Sequence, residues 1–431
     1  MIGFVGLSHL GLVSSLATAA KGFRVVGYDS DAAVVEALRK GRLPIHEAAL
    51  GELLESHQGR VTWTSDPKTL GTCELLICSA DSPTDGEHHS DLSVIQSLVE
   101  TAAAQTRPGT ALVILSQVPP GFTRRVADAA GAGGRDVPSL FCQVETLIIG
   151  QAVERALHPE RIIVGCPEPA QALPVAYQQW LSAFDCPILR MGYESAELAK
   201  ISINTFLAAS VSATNMLAEL CEVVGADWSE ILPAVTSDRR IGPHAYVRPG
   251  LGLSGGNLER DLATIVALSA EHGTDAEVAR ACFSSSVARR QWVLNLLHER
   301  VLCARQDSVV AIWGLAYKPG TTSMKHAASL ELLEALRGIV VRSYDPCVQL
   351  NGDWPQVTQC STALEACRGA DALAILTPWP EFLQVALGHV RELMRGRLVV
   401  DPFGVLGHDA CAAVGLSHVR LGAPAPAMEA R

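Results

Sequence analysis

Short apolar runs that alternate with helical stretches constrain the fold of this chain more than any other feature. Early runs, spaced as in βαβ units, are IGFVG, RVVGYD, ELLICSA, ALVILSQ and RIIVGC. The alternation resumes later, in VVAIWGLAYKPG, IVVRSYDP, DALAILTPW and RLVVDPFG. Strands that alternate with helices in this way form parallel, doubly wound sheets. We therefore predict an α/β protein with two Rossmann-like domains.

A long uninterrupted helix is predicted between these two domains. From Ser195 to about Ala226 the chain keeps helical apolar spacing, has no proline and has no glycine until its end. Together with the helical block that follows, this helix forms a central helical domain. The predicted domains are residues 1–194, 195–300 and 301–431.

Charge and cysteine usage exclude several classes of partner. The formal net charge is −11, whereas nucleic acids and anionic membranes require basic protein surface. No uninterrupted apolar run reaches the roughly 18 residues of a membrane span. The 12 cysteines are scattered, with no CxxC pair and no metal-like cluster with histidine, so we interpret them as reduced, mostly buried thiols. We expect a cytoplasmic protein that binds no metal, nucleic acid or membrane.

The segment GFVGLSHLG has the pattern of a dinucleotide-binding turn. It follows a predicted strand and precedes a predicted helix, and the next strand ends at Asp29. Glycine allows the tight turn, the helix N-terminus binds the pyrophosphate, and the carboxylate binds the ribose while repelling the 2′-phosphate of NADP. The alternative is a tight turn that binds nothing. The pattern predicts that NAD binds at Gly6, Ser8, His9, Leu10, Gly11 and Asp29.

Two further segments are candidates for chemistry. AELAKISINTF places Lys200 and Asn204 four residues apart, on one face of the long helix. A lysine in a cleft can stabilise an alkoxide while the amide orients it or a water, although a solvated helix face has the same spacing. PGLGLSGGNLERD is a glycine-rich loop that allows a ligand to approach the backbone closely. A loop of this kind would be expected to carry a nucleophilic side chain, but the residue at that position is Asn257, and an amide cannot attack a carbonyl.

Taken together, these segments resemble the UDP-glucose/GDP-mannose dehydrogenase family over nearly the whole chain. Further matching segments are DSPTDGEHHSDLS, QVPPGFT, HPERIIVG, SDRRIG, GLAYKPGT and LTPWPEF. Members of this family use NAD to oxidise the C6 alcohol of a nucleotide sugar twice, to a carboxylate. The resemblance implies an N-terminal NAD domain, a central domain that forms a homodimer, and a C-terminal domain that binds the nucleotide diphosphate of the substrate.

The resemblance also implies roles for individual residues. Lys200 matches the lysine that stabilises the oxyanion, Asn204 the asparagine that binds water, and Asp261 the aspartate that closes the catalytic loop. Arg240 is similar to the arginine that reaches into the partner's sugar site, and Lys318 to a lysine of the C-terminal substrate loop. The other assigned residues are Ser82, Gln117 and Lys325 for the cofactor, Gly252, Gly255, Arg260 and Tyr317 for the substrate, and Glu145 and Asn257 for catalysis.

Departures from the family pattern are concentrated in the reaction site. The family's catalytic cysteine falls on Asn257 in a gapless match. Of the two glutamates in its PEFLREG segment only Glu145 remains, because the other is Ile149. Further substitutions place Arg260 at the lysine of PKD, Gln117 at the threonine of STVP, and Lys325 and His326 at the arginine and glutamate of TDDxRES, and the family's DxRN reads DPFG.

Three functions remain open, because without a thiolate the family's thioester intermediate cannot form. The first is a two-electron reaction on a nucleotide sugar that gives an aldehyde or ketone, or an epimer if the hydride returns. The second is full oxidation to an acid through the hydrated aldehyde. The third is an inactive relative that binds NAD or a nucleotide sugar and acts as a partner or regulator of another protein. The presence of Lys200, Asn204 and Asp261 favours the first.

Overall fold

The computed structural model describes residues 1–85, 90–132, 139–144, 146–304 and 307–426. The chain divides into two compact units, Met1–Ile203 and Asn204–Arg431. This division falls inside the long helix. The predicted domain boundaries after residues 194 and 300 therefore stay predictions.

The first unit is an alternation of short strands and helices. Its strands are β1 (Ile2–Val5), β2 (Val25–Tyr28), β3 (Val61–Thr64), β4 (Leu75–Cys78), β5 (Ala111–Ile114), β6 (Ser139–Gln143), β7 (Ile162–Cys166) and β8 (Ile188–Gly192). Its helices before the long helix are α1 (His9–Ala20), α2 (Ala32–Arg39), α3 (Leu50–His57), α4 (Ser93–Ala103), α5 (Phe122–Ala132), α6 (Ala152–Leu157) and α7 (Val175–Ser182), with 3₁₀ turns at Gln58–Arg60 and Pro67–Thr72.

These strands form one sheet in the order β3-β2-β1-β4-β5-β6-β7-β8. The first six follow the order of a doubly wound dinucleotide-binding fold, whose ligand crevice lies at the carboxyl ends of β1 and β4. Every residue of β1, β2, β4 and β5 is buried, because helices cover both faces of such a sheet. Along β4, Leu75 and Ile77 pack into one hydrophobic cluster while Leu76 and Cys78 pack into another, as the two-residue period of a strand requires.

One strand pair departs from the predicted parallel arrangement. β6 and β7 pair antiparallel, with Cys142 opposite Gly165 and Gln143 opposite Val164. The other strand pairs of this sheet, within the described residues, are parallel. A buried apolar strand has the same residue pattern in either direction, so the sequence did not distinguish the two arrangements.

The long helix α8 (Tyr193–Val224) has 32 residues, which confirms the predicted helix to within two residues at each end. Gly225 follows it with φ 82°, a left-handed conformation that commonly ends helices. By length and hydropathy α8 could also cross a membrane, and 28% of its most apolar window is buried. Because the core helix of a protein outside the membrane passes the same test, this finding assigns no location.

The second unit contains the remaining helices and a six-stranded sheet. The helices are α9 (Trp228–Ser237), α10 (Asn257–His272), α11 (Glu277–Arg290), α12 (Trp292–Arg300), α13 (Ala328–Ala335), α14 (Ala363–Ala366), α15 (Leu387–Leu393) and α16 (His408–Ala413), with 3₁₀ turns at Leu302–Ala304 and Pro380–Gln384. The strands are β9 (Val309–Trp313), β10 (Val340–Tyr344), β11 (Val357–Gln359), β12 (Ala372–Ile375), β13 (Leu398–Val400) and β14 (Ser417–Val419).

The second sheet repeats the topology of the first. Its strands are parallel and lie in the order β11-β10-β9-β12-β13-β14. Numbered from β9, this is the order of the first six strands in the other sheet. The structure confirms the predicted α/β fold with two Rossmann-like sheets, a central helical region and a long helix.

All twelve cysteines are free, and nine of them are buried. Burial raises the pKa of Cys78 and of Cys142 to about 12. These thiols are therefore protonated and poorly nucleophilic at neutral pH. The prediction of reduced, mostly buried cysteines is confirmed.

Candidate active site

The predicted dinucleotide fingerprint forms the turn between β1 and α1. Gly6 has φ 95°, and a Cβ on Gly11 would lie 1.9 Å from the Gly6 carbonyl oxygen, so both positions favour glycine. Ser8 accepts a hydrogen bond from the Asp81 backbone N–H at 2.9 Å and donates one to the Ser79 carbonyl oxygen at 3.3 Å. These two bonds attach the turn to the carboxyl end of β4.

Asp29 lies just beyond β2, beside the same turn. Its carboxylate accepts hydrogen bonds from the backbone N–H groups of Leu7 and Asp31, both at 2.9 Å. Each carboxylate oxygen keeps a further lone pair, which can accept a ribose hydroxyl. The glycine cradle, which a Cβ would fill, the N-terminus of α1 and this carboxylate fit a dinucleotide such as NAD.

His9, another residue of the fingerprint, pairs with a buried glutamate that the sequence analysis missed. His9 Nε2 lies 2.8 Å from Glu47 Oε2. The Glu47 carboxylate also accepts hydrogen bonds from the backbone N–H groups of Gly150 and Ala152, at 2.9 and 3.0 Å. Glu47 thus connects the fingerprint helix to the start of α6. Nothing in the sequence marked it, because its partners are distant in the chain.

Next to β1, the loops after β4 and β5 bring two predicted cofactor residues together. The Ser82 hydroxyl donates a hydrogen bond to the Gln117 carbonyl oxygen at 2.7 Å. Gln117 and Lys200 line a small cavity of about 20 Å³, which has room for one water. Glu145, predicted to act in catalysis, lies outside the described residues.

Glu197 lines the same cavity and fixes the loop that leads into α5. Its side chain is buried, and its carboxylate accepts hydrogen bonds from the backbone N–H groups of Gly121 and Thr123 at 2.6 and 2.8 Å. N–H groups at a helix start have no partner within the helix, and this carboxylate supplies one. Burial raises the pKa of Glu197. Its spacing of three residues from Lys200, on one face of α8, is the sequence signal that could have indicated it.

Two of the predicted catalytic residues are joined directly in the second unit. Asn204 Nδ2 donates a hydrogen bond to Asp261 Oδ2 at 2.5 Å, and both side chains are buried. Arg260, a predicted substrate residue, is also buried, and its Nε lies 3.4 Å from Asp261 Oδ1. Lys200 precedes Asn204 by one turn of α8 and is partly buried.

The glycine-rich loop before α10 adopts a backbone conformation that favours glycine. Gly252, Gly255 and Gly256 have φ values of 78°, 81° and 87°. A Cβ on Gly255 would lie 2.7 Å from the ring of Tyr317, so two predicted substrate residues are in contact. Asn257 is the first residue of α10 and is exposed. Its side-chain amide cannot act as a nucleophile.

Lys325 and Lys318 lie on the segment that packs against this loop. The Lys325 carbonyl oxygen accepts a hydrogen bond from the Gly255 N–H at 3.1 Å. His326 has φ 50°, a left-handed conformation that is uncommon for residues other than glycine. Lys318 Nζ lies 5.4 Å from the centroid of the Tyr317 ring. The structure therefore places Lys325, predicted as a cofactor residue, beside the predicted substrate loop.

Arg240 lies on the surface of the second unit. Its side chain is 89% exposed, and its Nη2 lies 2.6 Å from Asp238 Oδ2. Its Nε also donates to Asp238 Oδ1 at 3.0 Å. Within the described residues, Asp238 is its hydrogen-bond partner.

Comparison with known proteins covers nearly the whole chain. The models of the UDP-glucose/GDP-mannose dehydrogenase family match in chain order: the NAD binding domain at residues 1–181, the central domain at 194–285 and the UDP binding domain at 311–408. The UDP-glucose 6-dehydrogenase of Pseudomonas aeruginosa is 30% identical over 440 residues, which cover 97% of each chain. That of Haloferax volcanii is 30% identical over 422 residues, covering 93% of this chain and 96% of the relative.

A solved structure agrees with these sequence relatives. The UDP-glucose dehydrogenase of Pyrobaculum islandicum superposes with a TM-score of 0.87 at 27% identity, over 98% of both chains. Fold, domain order and sequence identity thus point to one family. The chain belongs to the UDP-glucose/GDP-mannose dehydrogenase family and is an NAD-dependent oxidoreductase of the nucleotide-sugar dehydrogenase type.

Proposed function

We propose that this enzyme carries out a two-electron reaction on a CH–OH group of a nucleotide sugar and stops before the acid. The product is an aldehyde or ketone, or an epimer if the hydride returns to the sugar. The observation that carries this proposal is Asn257, an exposed amide at the first position of α10. An amide cannot form the covalent adduct that a second oxidation through a thioester needs.

Neighbouring cysteines in the sequence do not offer a substitute thiol. Cys282 is 3% exposed and packs with Leu253 and Leu262 in a hydrophobic cluster. Cys221 is 5% exposed. A nucleophilic thiol requires access and a thiolate-stabilising environment, and the surroundings of Cys282 are apolar. Ile149 stands at the sequence position of the family's second glutamate in PEFLREG, and an isoleucine side chain cannot activate water.

The residues that remain suit a single hydride transfer. NAD, held at the fingerprint turn and Asp29, supplies the hydride acceptor. Lys200 carries the positive charge that stabilises the alkoxide as the hydroxyl proton leaves to water. Asn204 donates one amide hydrogen to Asp261, which leaves its second N–H and its carbonyl oxygen for a water or a sugar hydroxyl.

Two lines of support favour a UDP-linked sugar among the nucleotide sugars. The match at residues 311–408 is to a UDP binding domain, and both relatives compared above are UDP-glucose 6-dehydrogenases. Tyr317, Lys318 and the glycine-rich loop form the part of the second unit that we assign to the substrate. GDP-linked sugars are also included among the substrates to be tested, because the family takes its name from both UDP-glucose and GDP-mannose.

We further propose that the enzyme is a homodimer through α8. Large apolar side chains on this helix are exposed in the single chain, including Phe206 at 77%, Met216 at 61% and Val223 at 77%. Such a surface favours burial against another protein surface. The family's central domain, matched at residues 194–285, contains nearly all of this helix, which supports dimerisation rather than membrane insertion. A monodisperse monomer in light scattering at low micromolar concentration would contradict this proposal.

Counting NADH tests the proposed chemistry. The purified protein is incubated with NAD and each member of a panel of UDP- and GDP-sugars, and NADH is measured against sugar consumed, with mass analysis of the product. An oxidised product with one NADH per sugar, or an isomer with no net NADH, supports the proposal. Two NADH with a carboxylate supports oxidation through the hydrated aldehyde, and binding without turnover supports an inactive relative.

A further inference from the structure

A charged cluster in the second unit lies directly behind the glycine-rich loop. Arg290, at the end of α11, places Nη1 2.9 Å from the Leu253 carbonyl oxygen, 3.1 Å from Glu259 Oε1 and 3.0 Å from Ser286 Oγ. Leu253 belongs to the loop, and Glu259 belongs to the first turn of α10. One guanidinium group therefore contacts the loop and the helix that carry Asn257.

Ser286 completes the attachment of the loop to α11. Its hydroxyl accepts a hydrogen bond from the Leu253 N–H at 2.7 Å, so α11 binds both backbone polar groups of Leu253. A Cβ on Gly252 would lie 2.6 Å from the Ser286 carbonyl oxygen, which shows how closely the loop approaches this helix. The loop is held by side chains of α11 at a single buried residue.

Both charges of the central ion pair are removed from water. The Glu259 side chain is 2% exposed and the Arg290 side chain is 10% exposed. Arg290 Nε also lies 2.7 Å from Glu331 Oε1 on α13, an ion pair that lacks the alignment of a hydrogen bond. A buried ion pair adds little net stability over apolar residues. The geometric effect of this pair is to fix the first turn of α10 relative to α11 and α13.

We propose that Arg290 and Glu259 are positioning residues that set the conformation of the loop 251–256 and of the first turns of α10. Through this turn they fix Asn257 and the start of the helix from which Asp261 reaches Asn204. The catalytic consequence rests on the proposed function.

Arg290→Gln tests this role in turnover. We expect kcat to fall at least tenfold and KM for the nucleotide sugar to rise, because the loop assigned to the substrate loses its support, while KM for NAD changes less than threefold. Arg290→Lys, which keeps the charge toward Glu259, should recover part of the lost kcat. The matched control is Arg280→Gln on the same helix, whose guanidinium is 48% exposed and pairs with Glu277. A kcat of Arg290→Gln within twofold of wild type overturns the proposal.

Hydrogen exchange tests the structural part without any substrate. In Arg290→Gln the amides of Leu253 and Gly255 should exchange at least tenfold faster than in wild type, with no change in Arg280→Gln. If Arg290→Gln fails to fold, the double variant Glu259→Gln, Arg290→Gln removes both charges and gives the same readout. Unchanged exchange in the folded variant overturns the inference. A wild type that turns over no nucleotide sugar would contradict the proposed function, while exchange would still decide this inference.

Discussion

Replacing Lys200 by alanine removes the charge assigned to the developing alkoxide. Deleting one donor that stabilises a transition-state oxyanion typically costs about 3 kcal/mol, which is roughly a 150-fold loss of kcat. Lys200 is partly buried and, among the described residues, has no hydrogen bond or ion pair. Its removal therefore leaves no buried acceptor without a partner, and we expect stability to fall by less than about 1 kcal/mol.

Because the two effects differ so much, activity and folding can be separated. The assay is the initial rate of NADH formation with the best nucleotide sugar from the panel, together with a thermal melt and calorimetry of NAD binding. Lys200→Ala should keep its melting temperature and NAD affinity while losing turnover. Lys68→Ala, which removes an exposed lysine from the same unit, is the control and should leave kcat unchanged.

A kcat for Lys200→Ala within threefold of wild type would refute this reasoning. It would show that lysine does not stabilise the alkoxide, and that the spacing of Lys200 and Asn204 on α8 has another cause. A large loss of stability would refute the structural part, because it would require a partner for Lys200 within the folded chain.

Three further predictions concern other residues. NADP should bind at least about tenfold more weakly than NAD in calorimetry, since the Asp29 carboxylate would repel the 2′-phosphate. Asp29→Asn should reduce that difference, and equal affinities of the wild type for NAD and NADP would contradict the prediction. Asp345→Ala should lower the unfolding free energy by about 3 kcal/mol or more in urea titrations, whereas the control Asp353→Ala, at an exposed position, should have a much smaller effect. The reason is that the buried Asp345 carboxylate accepts five hydrogen bonds, from the backbone N–H groups of Leu315, Ala316, Cys347 and Val348 and from Trp379 Nε1. Burial raises the pKa of Glu197 above its ordinary value of 4.5. The stability that protonated Glu197 contributes is therefore complete below pH 4.5 and is lost as the pH rises through the raised pKa. The unfolding free energy of wild type should therefore fall relative to Glu197→Gln as pH increases above 4.5, and a difference that is constant or grows would show that the pKa is not raised.

The sequence predicted the architecture because its signals are local. Apolar runs of strand length, separated by helical spacing, predicted both doubly wound sheets, and the absence of proline and glycine predicted α8 to within two residues. Strand direction was beyond this reasoning at β6 and β7, which pair antiparallel. Both kinds of buried strand have the same apolar pattern, and only the path of the connecting chain distinguishes them.

The sequence predicted those residues of the candidate site whose signals are local. Gly6, Gly11 and Asp29 follow a local pattern, and their geometry agrees with it. Glu47 and Glu197 act through partners that are distant in the chain. Such contacts exist only in the folded chain, so a residue pattern cannot show which buried glutamate fixes which loop.

The number of NADH molecules released per nucleotide sugar consumed tests the central claim most directly. If Asn257 prevents the second oxidation, a sugar that is oxidised should yield one NADH and a product lighter by two hydrogens, and an epimerised sugar should yield no NADH. Two NADH per sugar, with a carboxylate as the product of the wild-type enzyme, would contradict it.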